Sequence, residues 1–209
     1  MDAEQALDAE RWALCDTFAR VGPDAPTLCE GWTAADVAAH FILVERRPDA
    51  APGIALGGPF ARHTARVMEQ QKAGGFDAMV DRLRRPLPLL MRKGPAAVVN
   101  ANHHLIHHED VRRANGEGPR RLDRDLDEVA WSMLAVAARL AMRRVPVGVE
   151  AVAPDGRHRV MRKGAPMVTV SGEPSEITLF CNGRTDAASV ELSGPDEAVE
   201  RLRRSPMGI

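Results

Sequence analysis

Long apolar runs are missing from this chain of 209 residues, and none approaches the roughly 20 residues that span a bilayer. An excess of one charge is missing too. The formal net charge is −1, so no basic field points to nucleic acid and no strong acidity points to a disordered, solvating tail. Cysteine is sparse. Cys15, Cys29 and Cys181 are odd in number, widely spaced and without a CxxC pair, which argues against a disulfide framework and against a cysteine zinc cluster. Each reads as a small buried or half-buried thiol. The opening MDAEQALDAERWALC is acidic and amphipathic, without the basic start and apolar core of a signal peptide. No internal repeat or low-complexity segment stands out. These absences lead to the expectation of a cytoplasmic protein with neither nucleic-acid nor membrane partners.

What remains is an ordinary globular composition, 44% hydrophobic and 27% charged, with length enough for one large domain or one domain plus a small partner. The first two-thirds read as helices. Ala6, Leu7, Leu14, Cys15 and Phe18 recur at helical spacing over 3–20, and Gly22 and Pro23 stop that helix. Thr33 is placed to cap a second helix, with Asp36 in the position of a capping box. Val37, Phe41 and Val44 form one face of it, and Pro48 ends it. APGIALGGP reads as a loop, and 60–73 and 76–84 as helices. A further helix starts near Pro95 and ends at Gly116. Leu126, Val129, Ala130, Met133, Leu134, Ala137 and Leu140 form a strong helical stripe over 124–143. Long helices with short connections suggest an up-and-down bundle. After Pro146 the period changes: VGVEAVAP, HRVMRKG, PMVTVSG, EITLFCNG and ASVELSG read as short strands, PDGRH as a hairpin turn, and Pro195 opens a closing helix.

The chemistry-bearing stretch is NANHHLIHHEDVRRAN, which places four histidines within six positions. Residues four apart on an α-helix lie about 40° apart around the axis, so His103 and His107 share one edge with Asp110, and His104 and His108 share the next. Either pair has the spacing by which one helix offers two imidazoles to a metal ion. Spacing alone does not choose between them. A catalytic zinc takes three protein ligands and an open position, so a third donor is needed. His40 lies mid-helix among apolar neighbours, where a lone histidine is more often a satisfied core residue. His63 and His158 lie in polar stretches and read as surface residues.

LCEGWTAADVAAH, with His40 eight residues beyond Trp32, is followed some sixty residues later by a helix containing HHEDVRRAN, and then by a β-rich tail ending in GI. This arrangement resembles the DinB-like metal-binding superfamily. Within that superfamily it resembles more closely the actinobacterial branch that includes mycothiol-dependent maleylpyruvate isomerase. The resemblance implies an α+β chain: an N-terminal DinB-like four-helix bundle over 1–145 and a small C-terminal β-rich α/β domain over 146–209. It also implies a divalent metal, zinc before nickel, held by His40, His103 and His107. Many relatives carry Glu where this chain has His103. Three neutral imidazoles leave the ion its full charge and make it the stronger Lewis acid, although nickel or copper tolerates imidazole as well.

In the mycothiol-dependent relatives the open position is thought to take a low-molecular-weight thiol, whose proton a coordinated cation removes. The function implied is therefore a metal- and thiol-dependent transferase or isomerase acting on a carboxylate-bearing or electrophilic small molecule. Arg112 and Arg184 are the candidates for holding substrate carboxylates. Asp110, with Glu109 as the weaker candidate, would accept a hydrogen bond from a ligand imidazole. Trp32 reads as packing at the helix entry. A hydrolase using metal-held hydroxide and a non-catalytic metal-binding stress protein are the alternatives. A bundle with a small cap is compatible with a homodimer.

Overall fold

The computed structural model describes residues 1–56 and 58–208, with the side chains of residues 55 and 137–139 outside that description. The helical part is N-terminal: α1 (Ala3–Val21), α2 (Ala34–Arg46), α3 (Gly53–Leu56), α4 (Gly58–Ala73), α5 (Phe76–Arg84), α6 (Leu89–Arg92) and α7 (Gly94–Ala114). Then come α8 (Arg124–Ala141), β1 (Gly148–Val152), β2 (His158–Arg162), β3 (Met167–Ser171), α9 (Pro174–Cys181), β4 (Glu191–Ser193) and α10 (Asp196–Arg203). The chain is thus a mixed α+β fold. No described helix is long and apolar enough to cross a membrane.

Local chemistry sets most boundaries. Asp2 caps α1 by accepting from the Gln5 amide at 3.0 Å, and Gly22 closes the helix at φ +82°, where a side chain would be strained. Thr33 opens α2 as its spacing suggests, its backbone N–H and its hydroxyl both donating to Asp36 Oδ2 at 2.9 Å. The expected loop over 51–59 contains the single helical turn α3; Gly57 within it lies outside the described residues.

Two compact units divide the chain: Asp2–Gly118, and the segment from Pro119 onward together with Met1. In the first, Leu14, Cys15 and Phe18 of α1, Val37, Phe41 and Ile42 of α2, Met79, Val80 and Leu83 of α5, and Val111 of α7 share one apolar core. Phe18 and Phe41 are fully buried, and truncating either to alanine costs about 3–5 kcal/mol. Helix α7 buries residues at successive positions, from His104 to Ile106 and from His108 to Val111, so more than one of its faces is covered.

The division falls at 118/119 rather than at 145/146. The reason is packing: Trp131 and Leu134 of α8 belong to the same core as Val149 and Ala151 of β1, Val168 and Val170 of β3, and Ile177 and Phe180 of α9. The stripe over 124–143 therefore serves the sheet, and α5 contributes to the first core where α8 was expected as a bundle helix. Leu140 of that stripe is exposed, and Ala137 lies outside the described side chains.

The sheet has order β2-β1-β3-β4, with β1 antiparallel to β2 and parallel to β3, and β3 antiparallel to β4. Val149 pairs with Val168 and Ala151 with Val170, all fully buried, which puts one face of the sheet on the core. Gly156, at φ +87°, supplies the left-handed position in the β1–β2 turn. One expected strand is overturned: EITLFCNG is not extended but forms helix α9. Pro174 occupies its first turn, where proline favours a helix, and all eight residues are buried, so the apolar run carries no period that distinguishes helix from strand.

Candidate metal centre

Helix α2 carries His40 between the buried residues Ala39 and Phe41, and the imidazole is itself buried. Helix α7 brings His103 and His107 to it, one turn apart. Nε2 of His40 lies 3.1 Å from Nε2 of His103, and the three ring centroids are 4.8–5.2 Å apart. One ligand nitrogen from each of the three falls within 4.8 Å of the others. Two nitrogens bound tetrahedrally to one zinc are about 3.3 Å apart, given Zn–N bonds of about 2.0–2.1 Å. The donor set therefore fits a divalent cation. Burial first, and then the neighbouring His107 and His104, push the pKa of His40 down to about 3, so this imidazole is neutral and has a lone pair to offer.

Behind His107 stands Asp110, whose Oδ2 lies 2.9 Å from Nδ1 of the imidazole and whose side chain is fully buried. A carboxylate there fixes the Nδ1–H tautomer and turns Nε2 toward a metal. The same Oδ2 accepts from the Cys29 thiol at 3.1 Å, and Cys29 Sγ lies 3.7 Å from His107 Nδ1. The loop bearing Cys29 is tied at several points. The Leu28 amide donates to the Asp110 carbonyl at 3.1 Å, the Asn115 side chain to Pro26 at 3.0 Å, and the Thr27 hydroxyl to Trp32 at 2.9 Å. Trp32 packs against the first core and faces the His40 ring at 5.3 Å.

The second histidine pair is engaged elsewhere. His104 places Nδ1 at 2.8 Å from the Asn100 carbonyl and Nε2 at 3.1 Å from Glu45 Oε1. Glu45 accepts in turn from Arg11 Nε and Nη2 at 3.1 and 2.9 Å. Burial works to raise the Glu45 carboxyl, but the hydrogen bonds and charges of His104 and Arg11 overcome it and hold the pKa below the ordinary range. His108 places Nδ1 at 2.7 Å from Glu10 Oε1 and Nε2 at 2.9 Å from the Thr17 hydroxyl. The ring of Phe41 stacks on His104 at 4.2 Å and also faces His103 at 5.0 Å. The structure thus brings His40, His103, His107 and Asp110 together and gives His104 and His108 to buried carboxylates.

The remaining candidates are placed as follows. Arg112 donates to Glu109 at 2.7 Å, to Glu117 at 3.0 Å and to the Gly118 carbonyl at 3.4 Å. Glu109 is gripped on its other oxygen by Arg113 at 2.7 Å, so both of its oxygens hold arginines. Arg184, in the sheet-bearing unit, donates to the Asn182 carbonyl at 2.6 Å. His63 pairs with Asp49 and His158 with Glu150, both at exposed positions. Cys29 is the residue that sequence reasoning passed over. Its partners lie 78 and 81 positions away, so no spacing rule exposes them.

No protein-family model matches the chain, and no curated protein or solved structure matches it either.

Proposed function

We propose that this chain is a divalent-metal-binding protein of the DinB-like kind, related to the mycothiol-dependent maleylpyruvate isomerase branch. We read it as an enzyme that uses its ion to activate a low-molecular-weight thiol for S-transfer or isomerisation. The observation that carries the reading is the convergence of His40, His103 and His107 with Asp110 behind His107. In this reading α1, α2, α5 and α7, which share one core, are the bundle. Zinc is the first choice of metal and nickel the second, because three imidazoles suit both. A divalent ion held there supplies a Lewis-acidic position that lowers the pKa of a bound thiol.

The chain's own residues then have definite tasks. His40 stays neutral through burial, and Asp110 orients His107. Trp32 and Phe41 wall the imidazoles with aromatic surface. We assign Arg112 to holding Glu109 and Glu117, since carboxylate recognition would require it to leave both.

The deciding experiment assays metal-loaded protein against a panel of electrophilic and carboxylate-bearing small molecules, with and without added mycothiol or a similar thiol. Turnover that depends on the thiol supports the proposal. Hydrolysis indifferent to thiol replaces it with a hydrolase. A stoichiometric ion with every substrate unchanged leaves a metal-binding protein without turnover.

A further inference from the structure

A second set of donors overlaps the first. Cys29, His107 and Asp110 each present one ligand atom within 4.8 Å of the others. We propose that Cys29 Sγ, Asp110 Oδ2 and Nδ1 of His107 form a second cation site, for a thiophilic divalent ion, sharing the His107 imidazole with the three-histidine centre.

The distances carry the proposal. Nδ1 to Oδ2 is 2.9 Å, Sγ to Oδ2 is 3.1 Å, and Sγ to Nδ1 is 3.7 Å. On a tetrahedral zinc with bonds of about 2.0–2.2 Å to N and O and about 2.3 Å to S, these edges are about 3.3 to 3.6 Å. The three donors need move only by tenths of an ångström to enclose an ion. The cysteine loop is already held beside Asp110, its Leu28 amide donating to the Asp110 carbonyl at 3.1 Å. Asp110 is fully buried, while Cys29 and His107 are each partly exposed.

The donor chemistry selects the ion. A thiolate, an imidazole and a single carboxylate favour zinc, cadmium or cobalt over magnesium or calcium, which take all-oxygen shells. Binding displaces the Cys29 thiol proton, and also the His107 ring proton when Nε2 already holds an ion, so occupancy releases at least one proton per ion and weakens as pH falls. It also takes Asp110 away from the Nδ1–H it orients. The second ion therefore acts on the first through one ring, and excess zinc is expected to inhibit any activity of the three-histidine centre. The proposal shares His107 and Asp110 with the reading of that centre but needs neither His40 nor His103.

The test is a titration of the purified full-length chain with Co2+, followed by absorption and by elemental analysis of bound metal. The expected result is two equivalents, the later one accompanied by a sulfur-to-cobalt charge-transfer band in the near ultraviolet. Cys29→Ser should abolish that band and reduce the stoichiometry to one. His40→Ala should lose the other equivalent and keep the band, which separates failure of the three-histidine reading from failure of this one. Saturation at one equivalent without a sulfur band overturns the proposal, as does a band that persists in Cys29→Ser. Should Cys29→Ser not fold, the spectrum of the unaltered chain decides, because Cys15 and Cys181 are 1% exposed and belong to no donor group among the described residues.

Discussion

Asp110 holds His107 from within the same helix, its carboxylate oxygen 2.9 Å from Nδ1 three residues back along α7. A ligand imidazole held in this way is already oriented before any ion arrives, which lowers the entropy lost on binding. Asp110→Asn should therefore weaken divalent-metal affinity by about 10–100-fold while the fold is retained, as measured by competition with a chromophoric chelator. Unchanged affinity would remove Asp110 from the metal's support.

The two histidine pairs should separate cleanly by elemental analysis. His40→Ala, His103→Ala and His107→Ala are each expected to release the metal of the three-histidine centre. His108→Ala should retain it, because its ring faces Glu10 and Thr17 instead. Loss of metal only in His108→Ala would reverse the assignment.

The Arg11–Glu45–His104 cluster is a stability element. Arg11→Met leaves Glu45, 4% exposed, without its bidentate partner. Removing one member of a buried pair costs about 3–5 kcal/mol. Chemical denaturation should show a loss of that size, while the folded fraction binds metal with the same stoichiometry. A variant that is equally stable but metal-free would tie this cluster to the centre instead.

The apoprotein should lose stability in acid partly through His40. Its folded pKa, about 3, lies below the ordinary value of 6.5, so the unfolded chain takes up a proton there before the native chain does. The contribution of His40 is complete above about pH 6.5 and declines as the pH falls toward 3. His40→Phe should flatten this part of the stability profile in urea titrations at stepped pH. An unaltered slope in that variant would show that other groups carry the acid response.

Much of the architecture was legible in one dimension because periodicity and capping are local. The ends of α1, α2, α4, α5, α7 and α8 follow from Gly22, Thr33, Pro48, Pro95 and the apolar stripes. The switch to short strands after Pro146 follows from alternation of side chains. α9 reads as a strand in one dimension because a segment buried on all sides shows no period that separates helix from strand. The partner of α8 was also out of reach, since an apolar stripe records that a helix is covered and not what covers it.

At the candidate centre the same limit applies. By its own residues the sequence determined that one helix offers imidazoles in two overlapping i, i+4 pairs, because helical pitch converts spacing into shared edges. Tertiary structure decided which pair meets His40, 63 positions from His103, and which pair is turned onto Glu45 and Glu10. It also set Cys29 beside Asp110. Contacts between residues so far apart in the chain are fixed by how helices pack, and packing depends on every side chain in the core at once.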